Sequence, residues 1–392
     1  MGSRGFQRLS SFTYVLFIFI VVIALLNRQR CNAMIVLEQW KDSTRDRHQD
    51  DGDGDDSSAA VRRKCNLFEG RWVYDETYPL YRASSCAFIE QEFDCKKNGR
   101  PDSFYQKYRW QPNACALPRY KGQDLLRELK GKKILFVGDS LSLNQWQSLI
   151  CMMHVAAPHS QYTLHRVGGV STFTLPEHEI RVVLSRNAYL VDIVKEKIGT
   201  VLKLDSIQNG DSWKGYDVII FNTWHWWLHK GHQQPWEYIQ VGNKIEKDMN
   251  RLDAFREAIR TWSKWVDSNV NPNITKVFFQ STSPTHYNGE EWNGTSSGTC
   301  RGQSRPMGGS RYRTGPPEAA VVVKQVLSQM AKPVSLLDIT TLSQLRRDGH
   351  PSVYGIYGQR GNDCSHWCLP GVPDTWNELL FAMLALQGDP TD

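Results

Sequence analysis

From Gly131 onward, short apolar runs alternate with longer stretches of helical period, and this alternation limits the fold more than any other feature of the chain. Expected strands are Lys133–Val137, Ile180–Leu184, Ala188–Ile193, Asp217–Phe221, Lys276–Gln280 and Val334–Asp338. Expected helices are Leu141–Met153, Met249–Asp267, Pro317–Met330 and Asp374–Leu386. Pro316 and Pro317 open one of them, where a missing N–H costs nothing. Apolar strands separated by helices predict an α/β fold, a parallel sheet covered on both faces.

In such a sheet, ligands bind beyond the carboxyl ends of the strands. The stretch KKILFVGDSLSLNQWQSL, Lys132–Leu149, puts Ser140 at that position, between the first strand and a helix. Gly138 permits a tight turn, and the helix start offers N–H groups and a positive dipole end to a developing oxyanion. Asp139 or Ser140 would equally well cap the helix. Taken alone, the stretch leaves nucleophile and cap both open.

Near the other end stands GNDCSHWCLPGVPDTW, residues 361–376. A serine hydroxyl is a poor nucleophile at neutral pH and needs a base, itself oriented by a carboxylate. Asp363 and His366 lie three apart, so on a turn both can face one site. The competing reading is a surface Asp-His pair in a cysteine-rich loop.

Of nine cysteines, Cys31 lies at the edge of an apolar run. The other eight are Cys65, Cys86, Cys95, Cys115, Cys151, Cys300, Cys364 and Cys368, an even set that suits four disulfides in an oxidising compartment. Roughly 105 pairings are open to eight cysteines. Zinc is the alternative for CSHWC, but no partner cluster has the usual spacing, and no metal site is expected.

The apolar run Phe12–Leu26 follows Arg4 and Arg8 and is short for a spanning helix of roughly 20 residues. Residues 1–33 therefore read as a cleaved signal peptide or a short signal anchor, and either puts the bulk of the chain in the lumen or outside. Residues 34–64, with many aspartates between Asp42 and Asp56, read as a flexible acidic stem. Residues 65–120 read as a cysteine- and aromatic-rich subdomain, and 121–392 as the catalytic domain. Asn273-Ile-Thr275 and Asn293-Gly-Thr295 are glycosylation sequons. A net charge of +6 on 392 residues gives no basic stripe for nucleic acid. No G-x-G-x-x-G follows a strand, so no dinucleotide site is expected.

GDSLS, Gly138–Ser142, with Asp363-x-x-His366 resembles the SGNH/GDSL hydrolases. More closely, the chain resembles the plant trichome birefringence-like proteins of the PC-esterase family, which are polysaccharide O-acetyltransferases. CNLFEGRWVYDETYPLY from Cys65, FNTWHWW (Phe221–Trp227), SPTH (Ser283–His286) and DCSHWCLPGVPDTWNELL carry the likeness. It implies an SGNH-like parallel sheet with Ser140 as nucleophile, His366 as base and Asp363 as its orienter. It further implies the pairs Cys65–Cys115, Cys86–Cys151, Cys95–Cys368 and Cys300–Cys364. Leu143 departs from the pattern, since relatives often carry Arg there.

Asn222, after a strand, stands where related folds place an oxyanion donor. Ser140 N–H would be a second donor, while Gly168 and Gly169 read rather as a turn. Trp224, Trp226, Trp227 and Trp292 are candidates for stacking on sugar faces, and His286 for lining the site. His225, His229 and His232 form a local cluster better suited to hydrogen bonding than to metal.

The leading expectation is acetyl transfer to a cell-wall polysaccharide (xylan, mannan or pectin) through an acetyl-serine. The partners would be the acceptor polymer, an acetyl donor for which acetyl-CoA is a candidate, and the membrane if residues 1–33 stay attached. No bound cofactor is expected. The expected location is the Golgi membrane, single-pass type II with a lumenal domain, or else the cell wall by secretion. A polysaccharide acetylesterase with the same triad and a non-catalytic polysaccharide-binding protein are the alternatives.

Overall fold

The computed structural model describes residues 65–292 and 298–386. The signal or anchor segment, the stem, Cys31 and the Asn293 sequon lie outside the described residues. The chain divides into two units, Leu67–Phe381 and a second comprising Met1–Asn66 and Ala382–Asp392. Every strand and all three candidate catalytic residues belong to the first. Among the described residues, no helix is long and apolar enough to cross a membrane.

In chain order the strands are β1 (Gly70–Tyr74), β2 (Tyr108–Pro112), β3 (Lys133–Gly138), β4 (Thr163–Val167), β5 (Val170–Leu175), β6 (Ile180–Arg186), β7 (Asp192–Glu196), β8 (Gly199–Lys203), β9 (Val218–Phe221), β10 (Tyr238–Val241), β11 (Lys244–Glu246), β12 (Lys276–Gln280) and β13 (Ser335–Leu337). The helices are α1 (Gly122–Leu129), α2 (Ser140–Ala156), α3 (Arg251–Asn269), α4 (Glu318–Leu327), α5 (Thr340–Gln344) and α6 (Val372–Leu386).

The main sheet has the order β13-β12-β9-β3-β6-β5-β4. From β13 to β6 all neighbours are parallel, and the β4–β5 hairpin adds antiparallel strands at one edge. Successive side chains of a strand point to opposite faces. Leu135, Val137, Ile219, Phe221, Val277 and Phe279 share one apolar cluster with Phe255, Ile259 and Trp262 of α3 and Val322 and Val323 of α4. Helix α2 packs on β3 and β6, and its Trp146 indole donates to Val182 O at 3.3 Å. The sheet is thus the covered α/β layer that the alternation predicts.

Five of the six expected strands recur, Lys276–Gln280 with the same ends and the others with shifted ends, and so do all four expected helices, with shifted ends. Ala188–Ile193 does not form a strand along its length, because Asn187 Oδ1 accepts the N–H groups of Tyr189 and Leu190, and Leu190 adopts φ 60°. That turn carries the chain out of the sheet. It delivers β7 into a separate four-stranded sheet of order β11-β10-β8-β7, which the sequence reading did not anticipate.

All eight expected cysteines are oxidised. The bridges are Cys86–Cys151, Cys95–Cys368 and Cys300–Cys364, and Cys65 and Cys115 are disulfide-bonded as well. With Cys364 and Cys368 so engaged, CSHWC has no thiolate to offer a zinc ion.

Candidate active site

Strand β3 has β6 on one side and β9 on the other, both parallel to it and later in the chain. The connections leave β3 in opposite directions, which opens a crevice at its carboxyl end. Ser140 stands there, as the first residue of α2. Asp139 is the N-cap: its Oδ1 accepts from Leu141 N at 2.9 Å, and its Oδ2 from Trp224 N at 3.3 Å. Capping thus falls to Asp139, and the Ser140 hydroxyl is left to pair elsewhere. Gly138 permits the junction, since a Cβ there would run into Asn222 O and Ser142 Oγ.

Ser140 Oγ lies 2.7 Å from His366 Nε2, and His366 Nδ1 lies 2.8 Å from Asp363 Oδ2. The second carboxylate oxygen accepts from Ser365 N, Ser365 Oγ and His366 N at 3.0–3.1 Å. Burial disfavours a charged imidazole, but the hydrogen bond and charge of Asp363, helped by Glu92 and Asp139, outweigh it and raise the His366 pKa. For Asp363, burial pushes upward, yet the bond and charge of His366 and the neighbouring N–H groups hold it well below the ordinary carboxylate range. Such a chain can take a proton from Ser140 and return it. The imidazolium would be stabilised by a carboxylate that stays ionised.

Several residues position this chain although sequence reasoning did not single them out. Asn144, one helical turn after Ser140, accepts from Trp367 N at 2.8 Å and donates to Trp367 O at 3.1 Å. A polar residue four positions after the serine, and so on the same face of the helix, was the available signal. His350 Nδ1–H donates to His366 O at 2.6 Å, and its ring stacks on Trp367 at 4.0 Å. The Phe93 ring lies 5.7 Å from that of His366. Arg100, buried, donates to the carbonyls of His350 and Asp348. No local pattern marks His350, Phe93 or Arg100, because each meets the loop through long-range packing.

A cleft of about 480 Å³ contains Ser140, with Asp139, Arg186, Asn187, Tyr189, Trp226 and Gln208 among its walls. Trp226 therefore lines the same cleft as the serine. Trp224 lines a different cleft of about 440 Å³ with Lys230, Asp248 and Arg251, its ring edge-on to Phe255. The expectation of a sugar contact fails for Trp227, His286 and Trp292, which are 0%, 0% and 6% exposed. Trp227 donates to Thr223 Oγ1, and His286 bridges His350 Nε2 and Gln344 O inside the core. Trp292 packs edge-on to His286.

Asn222 follows β9, and its buried amide oxygen has no hydrogen-bond partner among the described residues. Gly168 and Gly169 make the two-residue β4–β5 turn, with φ 58° at Gly168. His225 Nε2–H donates to Ser283 O at 2.8 Å, and His229 lies against Trp226. Asn273 is exposed in the turn between α3 and β12.

Residues 117–383 match the PC-esterase family, described as a GDSL/SGNH-like acyl-esterase family found in Pmr5 and Cas1p. Residues 63–116 match the PMR5 N-terminal domain. Trichome birefringence-like 38 of Arabidopsis thaliana is 55% identical over 323 residues, covering 82% of this chain and 84% of that protein. Trichome birefringence-like 41 of the same plant is 55% identical over 318 residues, 81% and 89% of the two chains. Trichome birefringence is 39% identical over 348 residues, 83% of this chain and 57% of that protein. The chain belongs to the PC-esterase family, among the trichome birefringence-like proteins.

Proposed function

We propose that this protein is an O-acetyltransferase that moves an acetyl group onto a hydroxyl of a plant cell-wall polysaccharide such as xylan, mannan or pectin. The observation that carries this reading is the unbroken Ser140–His366–Asp363 hydrogen-bond chain at the mouth of an open cleft. Ser140 Oγ attacks the acetyl carbonyl carbon while His366 Nε2 takes its proton. In this reading the Ser140 N–H and the Asn222 side-chain amide donate to the oxyanion. Collapse breaks the bond to the donor's leaving group, which takes the proton from His366. A sugar hydroxyl then gives its proton to His366 and attacks the acetyl-serine, and Ser140 is reprotonated as it departs. The donor is an activated acetyl ester or thioester, acetyl-CoA being one.

A second reading, hydrolysis of polysaccharide acetyl esters, differs only in water replacing the sugar hydroxyl. Leu143 favours it. The position is 1% exposed and apolar, so it brings no cation toward the acetyl group. The oxidised cysteines support a lumenal or wall location for either activity.

The test incubates the full chain with acetyl donor and with acetylated or de-acetylated wall polymers, tracking the acetyl group by NMR and trapping acetyl-Ser140 by mass spectrometry. Ser140→Ala should lose the trapped ester and at least about a thousand-fold of the turnover. Full activity in that variant would overturn the reading. Polymer binding with no turnover of any acetyl ester would point to a binding protein instead.

A further inference from the structure

Arg186 ends β6 and pairs in register with Gly138, two residues before Ser140. Its backbone is fixed, the N–H donating to Gly169 O at 2.8 Å, while its side chain is exposed on the wall of the Ser140 cleft. Among the described residues, its guanidinium forms no ion pair and no hydrogen bond. Glu92, the acid whose charge it influences, is not within ion-pair distance, and that carboxyl is itself raised chiefly by burial.

The two acids of the cleft are already engaged. Asp139 caps α2, and Asp192 accepts from Ser206 Oγ and Gln208 N. Asn187 Oδ1 is committed to its own turn. What the cleft presents beside the serine is therefore one uncommitted cation among neutral amides and an aromatic face. A guanidinium offers a planar fork of donors that matches a carboxylate in two parallel hydrogen bonds. A phosphorylated donor would call for several cations, and among the residues lining this cleft Arg186 is the one Lys or Arg.

On the reading of the site as polysaccharide O-acyl chemistry, we infer that the polymer carries hexuronate carboxylates. Arg186 grips one of them while a nearby hydroxyl or its acetyl ester lies at Ser140. Arg186 then determines specificity and takes no part in the bond changes.

The test measures binding, which does not depend on turnover. Calorimetry compares an oligosaccharide of galacturonic acid with the same oligosaccharide after its carboxyls are reduced to primary alcohols. Full-length Ser140→Ala protein should bind the acidic form about 10- to 100-fold more tightly, the range expected of a charge-assisted pair. Added salt should narrow the difference. In the Ser140→Ala background, Arg186→Gln should bring the ratio near one, and Arg186→Lys should restore part of it. A ratio near one before Arg186 is changed, or one that Arg186→Gln leaves intact, overturns the inference. So does a loss confined to binding of acetyl-CoA. Acidic preference without any acetyl turnover would instead defeat the proposed activity and leave the acidic ligand standing.

Discussion

At His366, burial and charge act in opposite directions, and charge wins. The imidazole must be neutral to accept the Ser140 proton, so raising its pKa costs activity on the acid side. Activity is therefore expected to fall as pH drops through a value above the ordinary 6.5. Asp363→Asn removes the largest raising influence and should move that limb to lower pH. It should also cut kcat about ten-thousand-fold, because the tautomer is no longer fixed. A pH profile of kcat/KM for both proteins checks this. A limb that stays in place would mean that Asp363 acts only by packing. Asp363 and His366 were legible as a pair because they lie three apart, but Ser140 is 226 residues from His366, and its role came from the resemblance and not from local spacing. The tryptophans were not legible. Trp226 and Trp227 are adjacent, yet one faces the cleft and the other is buried, and depth along a short turn leaves no mark in residue type.

The loop bearing Asp363 and His366 has little secondary structure, so its geometry comes from what grips it. Ser352 and Asp363 exchange backbone hydrogen bonds, Asn144 clasps Trp367, and disulfides fix Cys364 and Cys368. Cys300–Cys364 and Cys86–Cys151 close loops of nearly equal separation, 64 and 65 residues. Their effects on unfolded-chain entropy should therefore match, at about 2–4 kcal/mol each. Only the former touches the catalytic loop. Replacing both cysteines of either pair by serine should lower the denaturation midpoint similarly, while Cys300→Ser/Cys364→Ser loses at least about ten-fold more activity at a temperature where both variants remain folded. Equal activities would show that the loop is positioned without that bridge. At this scale the central strands were readable because they are apolar on both faces. The β4–β5 hairpin and the second sheet were not, since their strands are short or largely exposed, and α1, although amphipathic, has only eight residues in which to show a helical period.

Across the whole molecule, residues 67–116 do not stand apart from the sheet domain. Trp72 donates to Leu342 O, Tyr81 to Asp374, and Tyr78 to Glu378. The sequence suggested a stapled subdomain rather than a second independent domain, and the contacts that join it to the sheet span 270–300 residues and leave no local trace. They have a consequence for pH. Burial pushes the Asp374 carboxyl up to about 7 and that of Glu378 up to about 8, against hydrogen bonds that favour their ionised forms. A carboxyl raised on folding contributes stability that is fully present below its unfolded pKa, near 4, and lost as pH rises through the folded value. His366, also raised, adds a loss in the same direction above 6.5, while the Asp363 contribution disappears only in strong acid. The protein should therefore melt at a higher temperature at pH 5 than at pH 8. Between those limits each carboxyl adds a slope of up to about 1.4 kcal/mol per pH unit. The double variant Asp374→Asn/Glu378→Gln keeps a neutral, similar shape at every pH and should flatten most of that dependence. Melting curves across this range decide the matter: an unchanged slope in the double variant, or a wild-type optimum at pH 8, would mean that these carboxyls ionise without cost where Tyr78 and Tyr81 enclose them.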